Sequence, residues 1–479
     1  MDSSEQFASQ PLVEVLAAVT AGRITRREFI LRATALGLSL GSITALLAAC
    51  GQSTASPSAG PSAVGTGAPA FDWRRFEGTE LTALFTNNPQ GDFFASQAAA
   101  FEADTGIKVD VQILDTASMR DKQNVVFAAG SAEIDVWHSY LNQEGAKYLR
   151  AGWYEFPDPY LVDPSLTSPD YDLDDLEPAL PLSSQSAQLV GMPLWVEVQT
   201  LYYNKELLET AGVAVPTTFD ELKDAAAKIH APDREIYGWT TRATSPLNTS
   251  TINPVLFSFG GTWMDDQGRA ALNSPEAVRA LDWYGTMLRD YGLPSPETVD
   301  IARWSDAFKA GKVAFAIDSP SFIGPFSDAS ASAVAGKYGI ANIPAGPAGS
   351  LTTLTNWTVC ISKFSKKKEA AWLFCQWLTT KQLALEIALK TGVMPSRDSA
   401  AASAEYKEYA DNTLRNLPEI RSYGLANGKT QVFPPIGAVP EARQIYGDAI
   451  VRVIQGGDAQ AVADEANAQF QALIDAEPA

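Results

Sequence analysis

The sequence predicts an α/β protein built from at least two α/β units, and two stretches carry that prediction. Residues 79–86 (TELTALFT) read as a strand, Asn87-Asn88-Pro89 as a loop, and residues 92–105 as a helical run stopped by Gly106. Residues 108–114 (KVDVQIL) then alternate as a second strand, and residues 133–139 (EIDVWHS) read as a third. Strand, helix, strand at this spacing is a βαβ pattern and implies a parallel sheet. Far downstream, residues 312–318 (KVAFAID) alternate Val313, Phe315 and Ile317 and end on Asp318. The carboxyl end of a strand is where open α/β sheets bind ligands. A chain of 479 residues exceeds one ordinary core and is long enough for two or three domains.

The first element in chain order is an address. Arg26 and Arg27 stand two residues before Phe29, and residues 33–49 carry no charge and are rich in Ala, Gly and Ser. That run is thin for a permanent span, which needs about 20 strongly apolar residues. It suits the core of a signal peptide over 1–49. The stretch TRREFI resembles the twin-arginine export motif, with Ile30 where Leu is usual. Leu47-Ala48-Ala49-Cys50 resembles the bacterial lipobox, in which the cysteine becomes the lipidated first residue of the mature chain. The alternative is an uncleaved anchor helix with an incidental Cys50. Residues 51–70 are nearly all Gly, Ser, Pro, Ala and Thr, a composition that buries no core. They read as a tether with a reach of roughly 25 Å, so that 50–75 is a lipid anchor and linker and the folded body begins near 71–81.

Later elements are marked by their ends. Residues 193–203 read as one strand, and a helix starts near Asn204. Thr218 and Glu221 form a capping box ahead of Leu222, Ala225, Ala226 and Ile229 on one face. Ser274 and Pro275 open a further helix as N-cap and first helical residue, with Val278, Leu281, Tyr284, Met287 and Leu288 as its stripe. Residues 366–380 read as a long amphipathic helix. Cys360 and Cys375 read as two buried thiols rather than a disulfide framework.

Composition excludes several functions. A formal charge of −20 is unsuited to nucleic acid, whose phosphates need Lys and Arg. The same field opposes anionic ligands unless a local basic pocket exists, and leaves neutral ligands unaffected. The two histidines, His138 and His230, do not supply a His-based zinc site or a catalytic triad. No Gly-x-Ser-x-Gly elbow, Walker-type loop or Cys/His cluster occurs in the sequence, and no cofactor or metal is implied. Aromatics instead recur beside polar groups: Trp195 near Glu197, Trp239 near Arg242, Trp357 next to Asn356. Core packing is the ordinary use of any one of these tryptophans. Together with their neighbours they suit a sugar or polyol, a ring covering its C–H surface and a charged group taking its hydroxyls.

The segments TNNPQGDFF, SAEIDVW, GMPLWVEVQTLYYNKELLETAG, FGGTWMDDQGRAALNSPEA, FKAGKVAFAID, NWTVCISKFSKKKEAAWLFCQWLTT and IGAVPEARQIYGDAI, in this order along the chain, resemble the large sugar-binding family of bacterial ABC-transporter solute-binding proteins. Within it the pattern is similar to the sorbitol- and mannitol-binding branch. Around Glu197 it departs from the branch, with Val196, Val198 and Gln199 where a Gly and two Ser are usual. The resemblance implies a type II, periplasmic-binding-protein-like fold of two discontinuous lobes, 76–192 plus 356–392 and 193–355 plus 393–479. Residues 193–203 are then similar to the first crossing between lobes, the segment at Trp357 to the second, and 392–395 to a third.

By the same resemblance the ligand-binding residues are Asn87, Asn88, Asp135, His138, Trp195, Glu197, Arg242, Asp318, Trp357 and Arg443. Asn87 and Asn88 correspond to contacts after the first strand, and Asp135 is read as ending a strand with His138 just beyond. A satisfied loop or core histidine is the alternative for His138. A surface salt bridge is the alternative for Arg242, and an exposed helix position for Arg443. The function implied is capture of a neutral sugar or polyol and its delivery to a permease. The protein would be a non-enzymatic monomer outside the cytoplasm, held to the membrane by lipid on Cys50. Two other functions compete: a lipoprotein glycosidase using two carboxylates from Asp135, Glu197, Asp318 or Glu441, and an interaction lipoprotein with no small ligand.

Overall fold

The computed structural model describes residues 70–176, 189–414 and 416–477. The expected signal peptide, the arginine pair and Cys50 lie outside the described residues. By compactness the chain divides into 1–71 with 161–169 and 72–160 with 170–479. In the first unit, Asp163 accepts from both the amide and the hydroxyl of Ser165, at 2.8 and 2.7 Å, and closes a turn. Everything below concerns the second unit.

Twelve strands form two sheets among the described residues. Seven are β1 (Glu80–Thr86), β2 (Lys108–Leu114), β3 (Val136–Ser139), β4 (Tyr154–Glu155), β5 (Met192–Val198), β6 (Thr200–Asn204) and β7 (Tyr237–Thr240). The rest are β8 (Val313–Asp318), β9 (Tyr338–Ala341), β10 (Thr352–Ser362), β11 (Met394–Pro395) and β12 (Gly428–Lys429). The larger sheet runs β11-β5-β10-β3-β1-β2, with β4 and β12 also on β10. β1 is parallel to β2 and β3, as the βαβ reading requires. β10 enters antiparallel between β3 and β5. The smaller sheet runs β7-β8-β6-β9, with β7 parallel to β8 and β6 antiparallel to both its neighbours.

The expected strand over 193–203 is two strands in two sheets. The chain leaves the larger sheet at Val198 and joins the smaller one at Thr200, so Gln199 alone separates them. The expected helix over 92–105 is also two: Pro89–Ser96 and Ala98–Thr105, joined at Gln97. Neither piece has a strong apolar stripe, and packing rather than periodicity sets the break. The capping box at Thr218 and Glu221 forms as read, with Glu221 N–H donating to Thr218 Oγ1 at 3.2 Å. The expected amphipathic helix over 366–380 is Lys368–Leu378 and is buried on nearly every side, including Trp372, Phe374 and Cys375.

Each sheet has its own core. Phe127, Trp137, Tyr148, Trp153 and Cys360 pack together on the larger sheet. The smaller sheet packs against the helices Phe219–Ile229, Pro275–Tyr291, Val439–Ile454 and Ala459–Asp475. Cys360 and Cys375 are free, buried thiols, and burial pushes both well above the ordinary thiol range. Gly191, just ahead of β5, lets β10 pass close by: a Cβ there would meet the Val359 carbonyl oxygen at 2.4 Å and Cys360 Sγ at 2.7 Å. Among the described residues no helix is long and apolar enough to cross a membrane.

Candidate functional site

The site begins with strand geometry. Side chains two apart on a strand share a face, and so do directly paired residues on neighbouring strands. Trp195 pairs with Trp357 and Glu197 with Thr355 across β5 and β10. These four therefore line one face. The register shifts just after Trp357, where Thr358 pairs with Pro193 and Leu194 is the extra residue. A bulge at this point re-aims the side chains next to it.

On that face the two indoles stack, with centroids 5.8 Å apart and planes at 21°. Phe94 stacks on Trp195 at 6.4 Å and 20°. Trp195 is buried, and its contribution is an N–H rather than an open ring face. Its Nε1 donates to Glu197 Oε1 at 3.2 Å. Ser321 Oγ donates to the same oxygen at 2.8 Å. Among the described residues no donor is recorded on Oε2, so this oxygen is available to accept from a ligand. Burial holds the Glu197 carboxyl above its ordinary value, against the pull of Ser321, Trp195 and the nearby Arg242.

Arg242 and Asp318 are placed by the smaller sheet. Trp239 pairs with Phe315 and Thr240 with Ala316, which carries Arg242 to the level of Asp318. Thr200 pairs with Asp318, so the end of β8 lies beside the point where the chain leaves β5. The guanidinium grips the carboxylate with both arms, Nε to Oδ2 at 2.8 Å and Nη2 to Oδ1 at 2.6 Å. Ser319 N–H adds a bond to Oδ1 at 2.7 Å. Asp318 is fully buried and Arg242 only partly exposed. Burial lowers the Arg242 pKa, but Asp318 outweighs it and the net shift is upward. Each of the two was expected separately as a ligand contact, with a surface salt bridge as the alternative for Arg242. The structure pairs them with each other as a buried clamp.

Arg443 is not on an exposed face. It is buried on the helix Val439–Ile454 with its guanidinium 4.5 Å over the Phe433 ring. Nε donates to Thr249 Oγ1 at 2.9 Å, and Nη2 to the Pro246 carbonyl and Ser250 Oγ at 3.2 and 3.3 Å. Burial pulls its pKa down to about 10.

His138 is fully buried in a cage of Phe85, Phe94, Trp195 and Trp357. Its Nδ1 accepts from Thr86 N–H at 3.4 Å, and burial pushes its pKa down to about 3. It is a neutral ring behind the tryptophans, the bland alternative raised from the sequence.

The remaining candidates separate. Asp135 is a correction: it precedes β3 rather than ending a strand, and it accepts from Thr82 N–H at 3.0 Å near the start of β1. Ser365 Oγ donates to it at 2.6 Å and Lys367 Nζ at 3.4 Å. It ties strand starts together, at the end of the sheet away from Thr86. Asn88 caps the helix Pro89–Ser96, accepting from Gly91 N–H at 2.7 Å. Asn87 is exposed beyond the end of β1. Three further residues join the site. Tyr140 lies against Trp357 at 5.4 Å, hydrogen-bonds Thr355, and is pushed up to about 12 by burial and the Glu197 charge. Thr355 was legible as the residue two before Trp357. Ser321 and Tyr140 follow the ends of β8 and β3, where strand periodicity stops and gives no signal.

Two outcomes follow from the buried charges. Removing one partner of a buried pair costs about 3–5 kcal/mol, while replacing both by apolar residues is often neutral. Arg242→Ala should therefore lower the unfolding free energy by about 3–5 kcal/mol in urea melts, and Arg242→Met with Asp318→Leu should recover most of it. Simply additive losses would contradict the clamp. For Glu197 the folded-state pKa is raised. The stability it contributes is full below the unfolded value of 4.5 and is lost as pH rises through the folded value. The melting temperature of Glu197→Gln relative to the parent should be more favourable at neutral pH than near pH 4. A difference that does not vary with pH would show an unperturbed carboxyl.

Known proteins share the sequence and fold of this chain. The erythritol/L-threitol-binding protein of Mycolicibacterium smegmatis is 28% identical over 389 residues, 75% of this chain and 78% of that one. The mannitol-binding protein of Pseudomonas aeruginosa is 30% identical over 247 residues, 50% of this chain and 56% of that one. The crystal structure of an ABC-transporter solute-binding protein from Agrobacterium radiobacter in complex with ribitol superposes with a TM-score of 0.74 at 27% identity. It covers 83% of this chain and 99% of that one. The two-sheet architecture is thus the type II, two-lobe binding-protein fold. A family profile described as bacterial extracellular solute-binding protein matches residues 86–384, more than half of the chain, and the protein belongs to that family.

Proposed function

We propose that this protein captures a neutral sugar or sugar alcohol between two lobes and delivers it to the membrane permease of an ABC importer. The observation that carries the reading is Glu197. It stands where β5 leaves one sheet for the other, with one oxygen held by Trp195 and Ser321 and the other open to a ligand hydroxyl. A hydroxyl-rich neutral ligand suits a site in which Arg242 is already answered by Asp318. The names of the erythritol/L-threitol- and mannitol-binding relatives support the ligand class. The lobes would be 76–192 plus 356–392 and 193–355 plus 393–479, sharing β5 and β10 as crossings. Closure would follow from the ligand's higher affinity for the closed form, with no chemical step. The protein would work as a monomer.

Calorimetric titration with erythritol, ribitol, D-mannitol and maltose, with product analysis of the same samples, tests this reading. Saturable binding of at least one compound without turnover is expected. Glu197→Ala and Trp357→Ala should each weaken it by about tenfold or more, the loss expected for a hydrogen bond to a charged group or its supporting ring. Turnover, or no binding by any of the four, would reject it.

The same reading places the protein outside the cytoplasm, exported through the arginine pair and tethered by lipid on Cys50. Cys50→Ala should leave the membrane fraction and keep its N-terminal segment. Continued membrane attachment with cleavage ahead of residue 50 would rule out the anchor.

A further inference from the structure

Besides the crossings, the two cores are joined by a built polar contact. The helix Ala146–Arg150 belongs to the first core, where Tyr148 packs with Trp137 and Phe127. Its last residue, Arg150, reaches Glu477, donating from Nη1 to Oε2. Glu477 follows the helix Ala459–Asp475, which packs into the second core through Val462, Ala466 and Phe470. The same carboxylate sits at the start of the sixteen-residue helix Val439–Ile454. There Gly437 N–H donates to Oε2 and Ala438 N–H to Oε1, both at 2.9 Å. A carboxylate at a helix N-terminus answers free amides and the helix dipole together. Its side chain is only 15% exposed. Burial pushes the Glu477 carboxyl up, but Gly437, Arg150 and Ala438 hold it below its ordinary value. A second tie joins the same two parts, Val432 N–H donating to Asn142 Oδ1 at 3.2 Å.

We propose that Arg150 and Glu477 form a clasp between the lobes, with Glu477 a positioning residue that favours the closed form. The inference rests on the two-lobe closure proposed above. Its logic is a division of labour within one carboxylate. The bonds to Gly437 and Ala438 join elements of the same core and persist whether the lobes are open or shut. The bond to Arg150 crosses between cores and exists only when they are together. Partly exposed and charged, it separates without exposing apolar surface and is weakened by salt. A contact of this class biases an equilibrium without locking it.

Interlobe distances test the clasp without needing the ligand. Spin labels at Val125→Cys and Ala227→Cys, both on exposed helix positions, are measured in the full chain carrying Cys50→Ala, with the buried Cys360 and Cys375 left in place. Arg150→Ala is the principal variant because it leaves the Glu477 helix cap intact. It should shift the distance distribution toward the open form and reduce the closed fraction relative to the open by about two- to fivefold, as loss of a partly exposed ion pair implies. Glu477→Gln should do the same, and the double variant should add nothing beyond either single change. Raising salt to about 1 M should open the parent and leave Arg150→Ala unmoved. Where ribitol or D-mannitol binds, its dissociation should quicken by a similar factor. An unchanged distribution in Arg150→Ala overturns the clasp, as does a Glu477→Gln effect confined to melting temperature. Failure of every polyol to bind would count against the proposed ligand, whereas the distances of the unliganded protein still decide the clasp.

Discussion

The pairing of β5 with β10 is the constraint on which the rest depends. It is antiparallel, it joins the larger sheet through its middle, and both strands connect directly to the smaller sheet or its loops. One register setting places Trp195 opposite Trp357 and Glu197 opposite Thr355. A one-residue slip of either strand would turn its two residues to the opposite face and separate them from their partners. Gly191 protects that setting, since a side chain there would collide with the β10 backbone at Val359. The tryptophan stack then performs two tasks. It fills the space behind the site with close-packed rings, and it directs an indole N–H at the carboxylate that is left half-open to a ligand. Trp195 is scaffolding for a polar group, its ring buried and its N–H on Glu197.

The electrostatics follow from the same placement. A buried charge is costly unless answered, and the site answers most of its own. Asp318 receives both arms of Arg242 and the amide of Ser319. Arg443 is held by neutral oxygens and the Phe433 ring, its charge spread over hydrogen bonds rather than met by a carboxylate. Glu197 is the exception, with a raised pKa and one oxygen uncommitted. Preorganisation of this kind lowers what a ligand must spend on ordering side chains. An anion at Arg242 would have to displace Asp318, whereas a hydroxyl at Glu197 needs only an acceptor already in position.

Much of this was legible in the sequence, and the failures have specific causes. Local signals worked where local physics decides. The capping box at Thr218, the alternation ending at Asp318, and the Gly106 stop all reappear as read. Alternation also put Trp195 and Glu197 on one face. It could not show that the strand changes sheets at Gln199, because both halves keep a strand's periodicity and only pairing partners differ. Asp135 was misplaced for a related reason. A carboxylate at a strand end reads alike at either end, and here it sits at the start, held by Thr82, Ser365 and Lys367. Arg443 gave the opposite error. A charged residue in a polar helical run suggests solvent, yet Phe433 and the turn at Pro246 bury it from sequence positions far away. Composition is equally silent on Tyr140 and Ser321, whose relevance is created entirely by the ends of two strands in different sheets.

The contrast between the crossings and the rim has an energetic logic. Under the proposed closure, the crossings are buried strands whose pairing survives every opening, and their contacts are apolar and hydrogen-bonded through the backbone. The other contacts between the two cores named above, those of Arg150 and Asn142, here called the rim, are polar and side-chain based. Had the rim been sealed by a large apolar patch, burial at roughly 25 cal/mol per Å² would hold the lobes shut without ligand. A ligand would then gain nothing by closing them and would be trapped once inside. Moving a two-state equilibrium from mostly open to mostly closed takes about 5.5 kcal/mol of differential affinity. A few hydroxyl bonds to groups such as Glu197 can supply that much, provided the rim contributes only a small part of it. Under the proposed closure, weak polar rim contacts and a strong shared hinge would be two requirements of one cycle: the first keeps closure dependent on ligand, and the second keeps the site assembled while it waits.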